Sequence, residues 1–179
     1  MRYVSTRGRA EVLDFAQAMM TGLARDGGLY LPETIPTLSA EQIAALEGLP
    51  YEEAALRVIA PFVGDSFSQD ELSGAIARAY AGFDHVARAP LVQLAPGHHL
   101  LELFHGPTIA FKDFAMQLIG QLFQMALAKS GQRVTILGAT SGDTGSAAIE
   151  AFKGLPNVDV FIMYPVSYTH LTLPTSDLV

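Results

Sequence analysis

The chain has 179 residues, of which 50% are hydrophobic and 16% are charged, with a net charge of −7 and a mean hydropathy of +0.28. This composition excludes disorder as the general state, and the negative charge disfavours a broad nucleic-acid-binding surface. There is no cysteine, which excludes disulfides, thiolate catalysis and cysteine-ligated metal centres and fits a cytoplasmic protein.

No segment has the features of a membrane span or a secretion signal. Residues 114–128 carry no charge, but they include three glutamines and are shorter than the roughly 20 apolar residues that a bilayer requires. Residues 160–176 contain two prolines and several hydroxyl side chains, which makes them a poor spanning helix. Charged residues interrupt the N-terminus, so no signal peptide is expected.

The first part of the chain predicts helices with one short strand. Apolar residues recur at helical spacing between Val12 and Leu23, and the glycine pair at 27–28 is expected to end this helix. Residues 29–31 predict a short strand that ends at Pro32.

Two further helix starts carry a recognisable capping pattern. Serine followed three positions later by glutamine or glutamate, the pattern of a capping box, occurs at Ser39 and Ser68. Another helix is expected to begin near Tyr51, and Pro61 is expected to bend or end it.

The pattern changes after Pro90, where short apolar runs alternate with helical segments. Strands are predicted at 91–94, 99–104, 133–137 and 158–164, and helices at 113–129 and 146–153. The alternation of strand and helix from the second of these strands onward is typical of a parallel α/β architecture, in which ligands bind at the carboxyl ends of the strands.

The first candidate site is the glycine-rich run at residues 138–145, between a predicted strand and a predicted helix. Glycines let a backbone approach a ligand closely, and amides at a helix N-terminus bind carboxylate or phosphate. Thr140, Ser141 and Thr144 add hydroxyl groups. The run lacks the Lys-Ser/Thr pair of a Walker A loop, so an ordinary tight turn remains an alternative.

The second candidate site is Lys112, which lies among apolar residues at 109–114, between a predicted strand and the long helix. Apolar surroundings disfavour the charged form of an amine, which is the condition that a Schiff-base lysine needs. The alternative is a surface lysine whose stem lies along the helix.

The histidines give little indication of chemistry. His98 and His99 are adjacent, so on a strand they face opposite sides and cannot easily share a metal. His105 draws interest only through its position beside the Lys112 segment. No acidic or histidine cluster has the spacing of metal ligands, so no metal site is expected.

Together these segments resemble the threonine synthase family of pyridoxal-phosphate enzymes, which has the tryptophan-synthase-β-like fold (fold type II). Four motifs carry the resemblance in order, at residues 3–8 (YVSTRG), 22–33 (GLARDGGLYLPE), 105–117 (HGPTIAFKDFAMQ) and 139–165. The last of these opens with ATSGDTGSAA and continues through GLPNV at 154–158 to the Tyr-Pro pair at 164–165. The resemblance implies an α/β fold with a mostly helical N-terminal subdomain at 1–90. It also implies that residues 91–165 form part of a parallel-sheet, three-layer domain, which is truncated in this chain.

The resemblance also implies an activity, the conversion of O-phospho-L-homoserine and water to L-threonine and phosphate in threonine biosynthesis. Lys112 is implied to link covalently to pyridoxal 5'-phosphate and to move protons during the reaction. Phe111 is implied to pack near the cofactor ring. The residues Ser141, Gly142, Asp143, Thr144 and Gly145 are implied to hold the substrate carboxylate, with Asp143 also beside the cofactor.

The resemblance ends at Pro165, before the later glycine-rich loop that binds the cofactor phosphate in the family. Residues 166–179 resemble a translated sequencing adapter, and we expect them not to be native sequence. We therefore expect the chain as written to be inactive or nearly so. Two other interpretations stay open: a non-catalytic phosphate- or metabolite-binding module, and another pyridoxal-phosphate lyase of the same fold. The oligomeric state is not predicted.

Overall fold

The computed structural model describes residues 1–140 and 142–164, so the proposal that residues 166–179 are not native lies outside the described residues. The helices are α1 (Phe15–Thr21), α2 (Ala40–Ala44), α3 (Tyr51–Val63), α4 (Gln69–Tyr80), α5 (Asp113–Ser130) and α6 (Asp143–Phe152). The strands are β1 (Tyr3–Ser5), β2 (Tyr30–Pro32), β3 (Leu91–Ala95), β4 (His98–Leu101), β5 (Val134–Ala139) and β6 (Val158–Met163). Within this part of the chain, no helix is both long and apolar enough to cross a membrane.

The first helix is shorter than the sequence predicts. α1 ends at Gly22, whose φ of +68° favours glycine and whose amide donates to the Ala18 carbonyl over 3.1 Å. The prediction that the glycines at 27–28 end this helix was therefore wrong, because an earlier glycine already satisfies the helix terminus. The strand predicted at 29–31 is confirmed as β2, displaced by one residue and paired antiparallel with β1.

Both predicted capping boxes are confirmed. The Ser39 hydroxyl accepts the Gln42 amide over 3.2 Å, and the Gln42 side chain accepts the Ser39 amide over 2.8 Å. Ser68 and Glu71 make the same reciprocal pair at the start of α4. These bonds satisfy amides that a helix N-terminus otherwise leaves without a partner.

Pro61 does not end α3. The proline lies in the last turn of the helix, which continues to Val63 and ends at Gly64 with φ of +59°. A proline removes one helical hydrogen bond, and the last turn is still closed by the Gly64 amide, which donates to the Ala60 carbonyl.

The main hydrophobic core joins the N-terminal helices to the long helix α5. From α4 it includes Leu72 and Ile76, which are almost fully buried, and from α5 it includes Leu118 and Leu122. The core thus crosses residue 90, where the sequence suggested a subdomain boundary. Phe114, in the first turn of α5, also packs against this core, close to the N-cap residue Lys112.

A second core lies between α5, α6 and the strands β5 and β6. The two strands pair in parallel, from Val134 opposite Val158 to Ala139 opposite Met163. The parallel pairing that the sequence predicts is confirmed here. α6 covers one face of this sheet, and the other face leaves Leu137 exposed.

The strand predicted at 99–104 does not belong to the parallel sheet. It is β4, which ends at Leu101 and pairs antiparallel with β3, with Gly97 (φ +72°) in the connecting turn. A proline-glycine turn between two short apolar runs favours a hairpin, and this local pairing replaced the expected parallel one.

Candidate active site

The two candidate segments of the sequence meet at one pocket. The pocket has a volume of about 450 Å³ and is open on one side. It brings Lys112, at the start of α5, together with Thr144, in the first turn of α6. The lining is mostly apolar and consists of Leu103, Phe111, Lys112, Phe114, Ala115, Met116 and Thr144. Another cleft of about 350 Å³, lined by Met20 and Phe67 among others, contains no residue of either segment.

Lys112 is half-buried at the mouth of this pocket. Its backbone has helical angles, and its carbonyl accepts the Met116 amide over 2.9 Å, so the residue is held by the first turn of α5. The ammonium nitrogen lies 4.6 Å from the centroid of the Phe111 ring, within cation–π distance. The apolar surroundings that the sequence predicted for Lys112 are therefore partly present.

Asp113 is a feature of the site that the sequence analysis did not identify. Its side chain is fully buried, and both carboxylate oxygens are used by Thr108, one by the amide over 2.8 Å and one by the hydroxyl over 2.7 Å. One sequence signal could have indicated this contact: an aspartate directly follows the candidate lysine, and a threonine lies five positions before the aspartate. It was taken only as the start of a helix.

His105 lies near the beginning of the loop that connects β4 to α5, and Lys112 lies at the end of that loop. Its Nδ1 lies 2.8 Å from a carboxylate oxygen of Asp84, and its Nε2 lies 2.7 Å from a carboxylate oxygen of Glu102. The Asp84 amide also donates to the His105 carbonyl over 3.0 Å. The hydrogen bond to Glu102, followed by the contacts with Asp84, raises the pKa of His105 against the opposing effect of burial. The histidine thus bridges two acids, and both acids favour its protonated form.

The glycine-rich run forms the beginning of α6. The helix starts at Asp143, three residues earlier than predicted, with Gly142 as its N-cap at φ +148°. The Thr140 hydroxyl accepts the Gly142 and Gly145 amides over 3.1 and 3.3 Å. The Thr140 hydroxyl, which the sequence analysis considered for ligand binding, therefore caps the helix. This cap explains why the helix extends into the predicted loop.

The five residues predicted to hold substrate occupy different positions. Thr144 lines the pocket, Asp143 is exposed in the first turn of α6, and Gly142 is the N-cap. Gly145 is buried, and a β-carbon there would lie 2.8 Å from Ile162, so its backbone packs closely on β6. Ser141 lies outside the described residues.

The N-terminal motif also acquires a structural explanation. The Asp26 carboxylate accepts the Ser5 hydroxyl over 2.7 Å and the amides of Arg9 and Gly28 over 3.0 Å each. The bond from Ser5 is the main cause that lowers the pKa of Asp26 to about 2. Gly28 packs so closely on Ser5 that a side chain there would clash. This network ties the first strand to the turn before β2, away from the pocket.

Comparison with known proteins gives matches over most of the chain. Residues 2–80 match the model of the family described as "Threonine synthase N terminus". A threonine synthase of Pseudomonas aeruginosa is 54% identical over 165 residues, which are 92% of this chain and 35% of that protein. A crystal structure of threonine synthase from Brucella melitensis with pyridoxal phosphate bound has a TM-score of 0.89 and 55% identity. It matches 92% of this chain and 36% of its own.

A yeast threonine synthase structure is similar at a TM-score of 0.86 and 38% identity. The chain spans about a third of the length of the relatives that it matches. Sequence motifs, fold and N-terminal match agree: over 92% of its length the chain is similar to the N-terminal region of threonine synthases.

Proposed function

We propose that this chain is the lysine-bearing part of a threonine synthase, which converts O-phospho-L-homoserine and water to L-threonine and phosphate. The observation that carries the proposal is the shared pocket of Lys112 and Thr144, in a chain whose relatives bear that name. The substrate, the cofactor and the cytoplasmic location belong to the proposal.

The pocket fits pyridoxal phosphate in its chemistry. It offers one amine, from Lys112, among the apolar side chains of Leu103, Phe114 and Met116, with the ring of Phe111 next to the amine. A flat aromatic cofactor packs well on such a surface, and the amine is the group that binds its aldehyde. When bound, the cofactor supplies an electron sink for charge that develops on the substrate.

Lys112 has two roles in this proposal. Its amine would hold the cofactor covalently and, when free, would move protons at the α and β carbons of the substrate. Phe111 packs beside the cofactor ring. The backbone of Lys112, whose carbonyl accepts the Met116 amide, is held at the start of α5 beside the pocket.

The beginning of α6 is proposed to bind the substrate carboxylate. Amides at a helix N-terminus attract anions, and α6 begins beside the pocket. Thr144 adds its hydroxyl, and Ser141, Gly142 and Asp143 complete the segment. Gly145 belongs to it through its close packing on β6, which sets how near the helix lies to the sheet.

The 179-residue chain alone is expected to form little or no threonine. The described part of the pocket is open on one side, and an open site does not exclude water from the reaction. The relatives contain about twice as much further sequence as the part that this chain matches.

Complementation of a threonine-requiring bacterium tests the proposal. A chimera joins residues 1–164 of this chain to the remaining length of the Pseudomonas aeruginosa relative, and we expect it to restore growth without threonine. Lys112→Ala in the chimera should abolish growth, whereas Lys129→Ala, a lysine outside the pocket, should not. A soluble chimera that fails to restore growth contradicts the proposal, and a different product from O-phospho-L-homoserine would favour another lyase.

A further inference from the structure

We propose that Asp113 is the positioning residue for Lys112: its buried carboxylate clamps the turn at Thr108 and thereby holds the lysine at the pocket. The inference rests on the proposed role of Lys112 and concerns how that role is made possible.

The carboxylate of Asp113 joins two successive turns of the chain. The Ile109 amide donates to the Gly106 carbonyl over 3.1 Å, and the Asp113 amide donates to the Ala110 carbonyl over 2.9 Å. The Asp113 side chain reaches back from the second turn to the amide and hydroxyl of Thr108 in the first. Lys112 lies between the two ends of this connection, so its backbone has little freedom to move.

The close packing of Asp113 against Gly106 limits where the Asp113 side chain can lie. A β-carbon on Gly106 would lie 2.5 Å from both the β-carbon and a carboxylate oxygen of Asp113. The acid therefore packs directly on the glycine backbone, and its position is defined on that side as well as by Thr108.

The turn that the clamp holds contains a strained residue. Ile109 has φ of +64°, a region that β-branched residues rarely adopt, and its side chain is 71% exposed. Its own packing therefore does little to maintain this conformation. Such backbone angles persist where surrounding interactions determine them. Here those interactions include the bond from the Ile109 amide to the Gly106 carbonyl and the two bonds that Thr108 donates to Asp113.

The full burial of the Asp113 carboxylate supports a functional role for this residue. A fully buried carboxylate is costly unless it is hydrogen-bonded, and a neutral side chain would fill the same space more cheaply. Asp113 also lies in the first turn of α5, where the helix dipole favours a negative charge. Two hydrogen bonds to a buried carboxylate thus lie next to the lysine that the site requires.

The test compares the three lysines of the chain, Lys112, Lys129 and Lys153, by two labelling reactions on the full chain. The first is competitive acetylation of the lysines with trace acetic anhydride over a range of pH, which needs no cofactor. The second is incubation with pyridoxal phosphate followed by borohydride reduction. Mass spectrometry reports the labelling of Lys112 relative to the other two lysines in each case.

We expect Asp113→Asn and Thr108→Val to lower the relative pyridoxal-phosphate labelling of Lys112 by about tenfold, the effect of one hydrogen bond to a charged group. Both variants should also change the pH profile of Lys112 acetylation and leave Lys129 and Lys153 unaltered. Thr108→Ser keeps both donors and should behave as the parent chain. Thr108→Val is nearly isosteric, so it provides the test if Asp113→Asn fails to fold.

The outcomes separate this inference from the proposed function. Parent-like labelling of Lys112 in a folded Thr108→Val chain, by both reagents, overturns the positioning role and leaves the function standing. If the parent chain takes no pyridoxal phosphate at Lys112 but its acetylation profile changes in the variants, the positioning role stands and the proposed function fails.

Discussion

Gly120 of α5 lies against the carbonyl oxygen of Ala151 in α6, so close that a β-carbon on Gly120 would be 2.5 Å from that oxygen. This close approach sets the distance between α5, which has Lys112 as its N-cap, and α6, which carries Thr144 in its first turn. The glycine is thus required in the middle of a helix, where it would otherwise be unfavourable.

Gly120→Ala should lower the free energy of unfolding by about 2 kcal/mol or more, because the added methyl group forces α5 and α6 apart. Gly74→Ala in α4 is the matched control, since a β-carbon there meets only the flexible side chain of Arg78 at 3.2 Å. The control should be neutral or stabilise by up to about 1 kcal/mol. Urea unfolding followed by circular dichroism measures both, and equal effects of the two substitutions would contradict the packing argument.

Tyr80 connects the N-terminal helices to the first turn of α5. Its hydroxyl donates to the Phe114 carbonyl over 3.0 Å, and its ring is buried in the core. Tyr80→Phe should cost about 1 kcal/mol, the contribution of one hydrogen bond. It should also increase amide hydrogen exchange at residues 112–116.

Tyr3→Phe serves as the comparison, because the Tyr3 hydroxyl makes a similar bond to the Phe62 carbonyl over 2.9 Å, in α3. We expect a similar loss of stability there but no change in exchange at residues 112–116. Faster exchange of that segment in both variants would show that the Tyr80 bond has no specific role in fixing α5.

Stability should depend on pH through His105. Its ion-pair partners Asp84 and Glu102 raise its pKa, and the ring of His85 lies 4.9 Å from its own. A group with a raised folded-state pKa stabilises the fold fully below its ordinary value of 6.5, and this contribution is lost as pH rises through the folded-state pKa. The chain should therefore become less stable above pH 6.5.

His105→Gln should be less stable than the parent chain near pH 6, and the difference should shrink as pH rises through the folded-state pKa of His105. Urea midpoints at several pH values give this difference directly. His99→Asn, on the exposed strand β4, is the control and should show no such pH-dependent difference. A His105→Gln difference that stays constant with pH would contradict the ion-pair interpretation.

The sheet β5–β6 should tolerate substitutions on one face only. Phe161 is 59% exposed on the outer face, whereas Ile162 packs against α6 on the inner face. Phe161→Thr should change the free energy of unfolding by about 0.5 kcal/mol or less, and Ile162→Thr should lower it by about 2 kcal/mol or more. A large loss of stability from Phe161→Thr would mean that the outer face is buried in solution.

Local sequence patterns predicted helices and strands well where capping residues or apolar periodicity determine the secondary structure. The two capping boxes, the long helix α5 and the parallel strands β5 and β6 follow from caps and apolar periodicity. The strand that became β4 was assigned to the wrong sheet, since apolarity alone does not specify a partner strand. The start of α6 was misplaced because a threonine hydroxyl, rather than the usual N-cap side chain, satisfies its amides.

The site was predicted in part. Lys112 and the glycine-rich segment were identified from their sequence context, and the structure brings Lys112 and Thr144 together. The buried clamp of Asp113 was not predicted, because its function depends on a hydrogen bond to Thr108 that only the folded turn reveals.

The most direct measurement for the central claim is reductive trapping of pyridoxal phosphate on the purified chain, with the modified lysine located by mass spectrometry. The account predicts preferential labelling of Lys112, because its amine lies beside an aromatic ring in an apolar pocket. Lys129 is paired with Glu71, and Lys153 is 73% exposed, so both report nonspecific reaction. Labelling spread evenly over the three lysines, or absent from Lys112, would contradict the account.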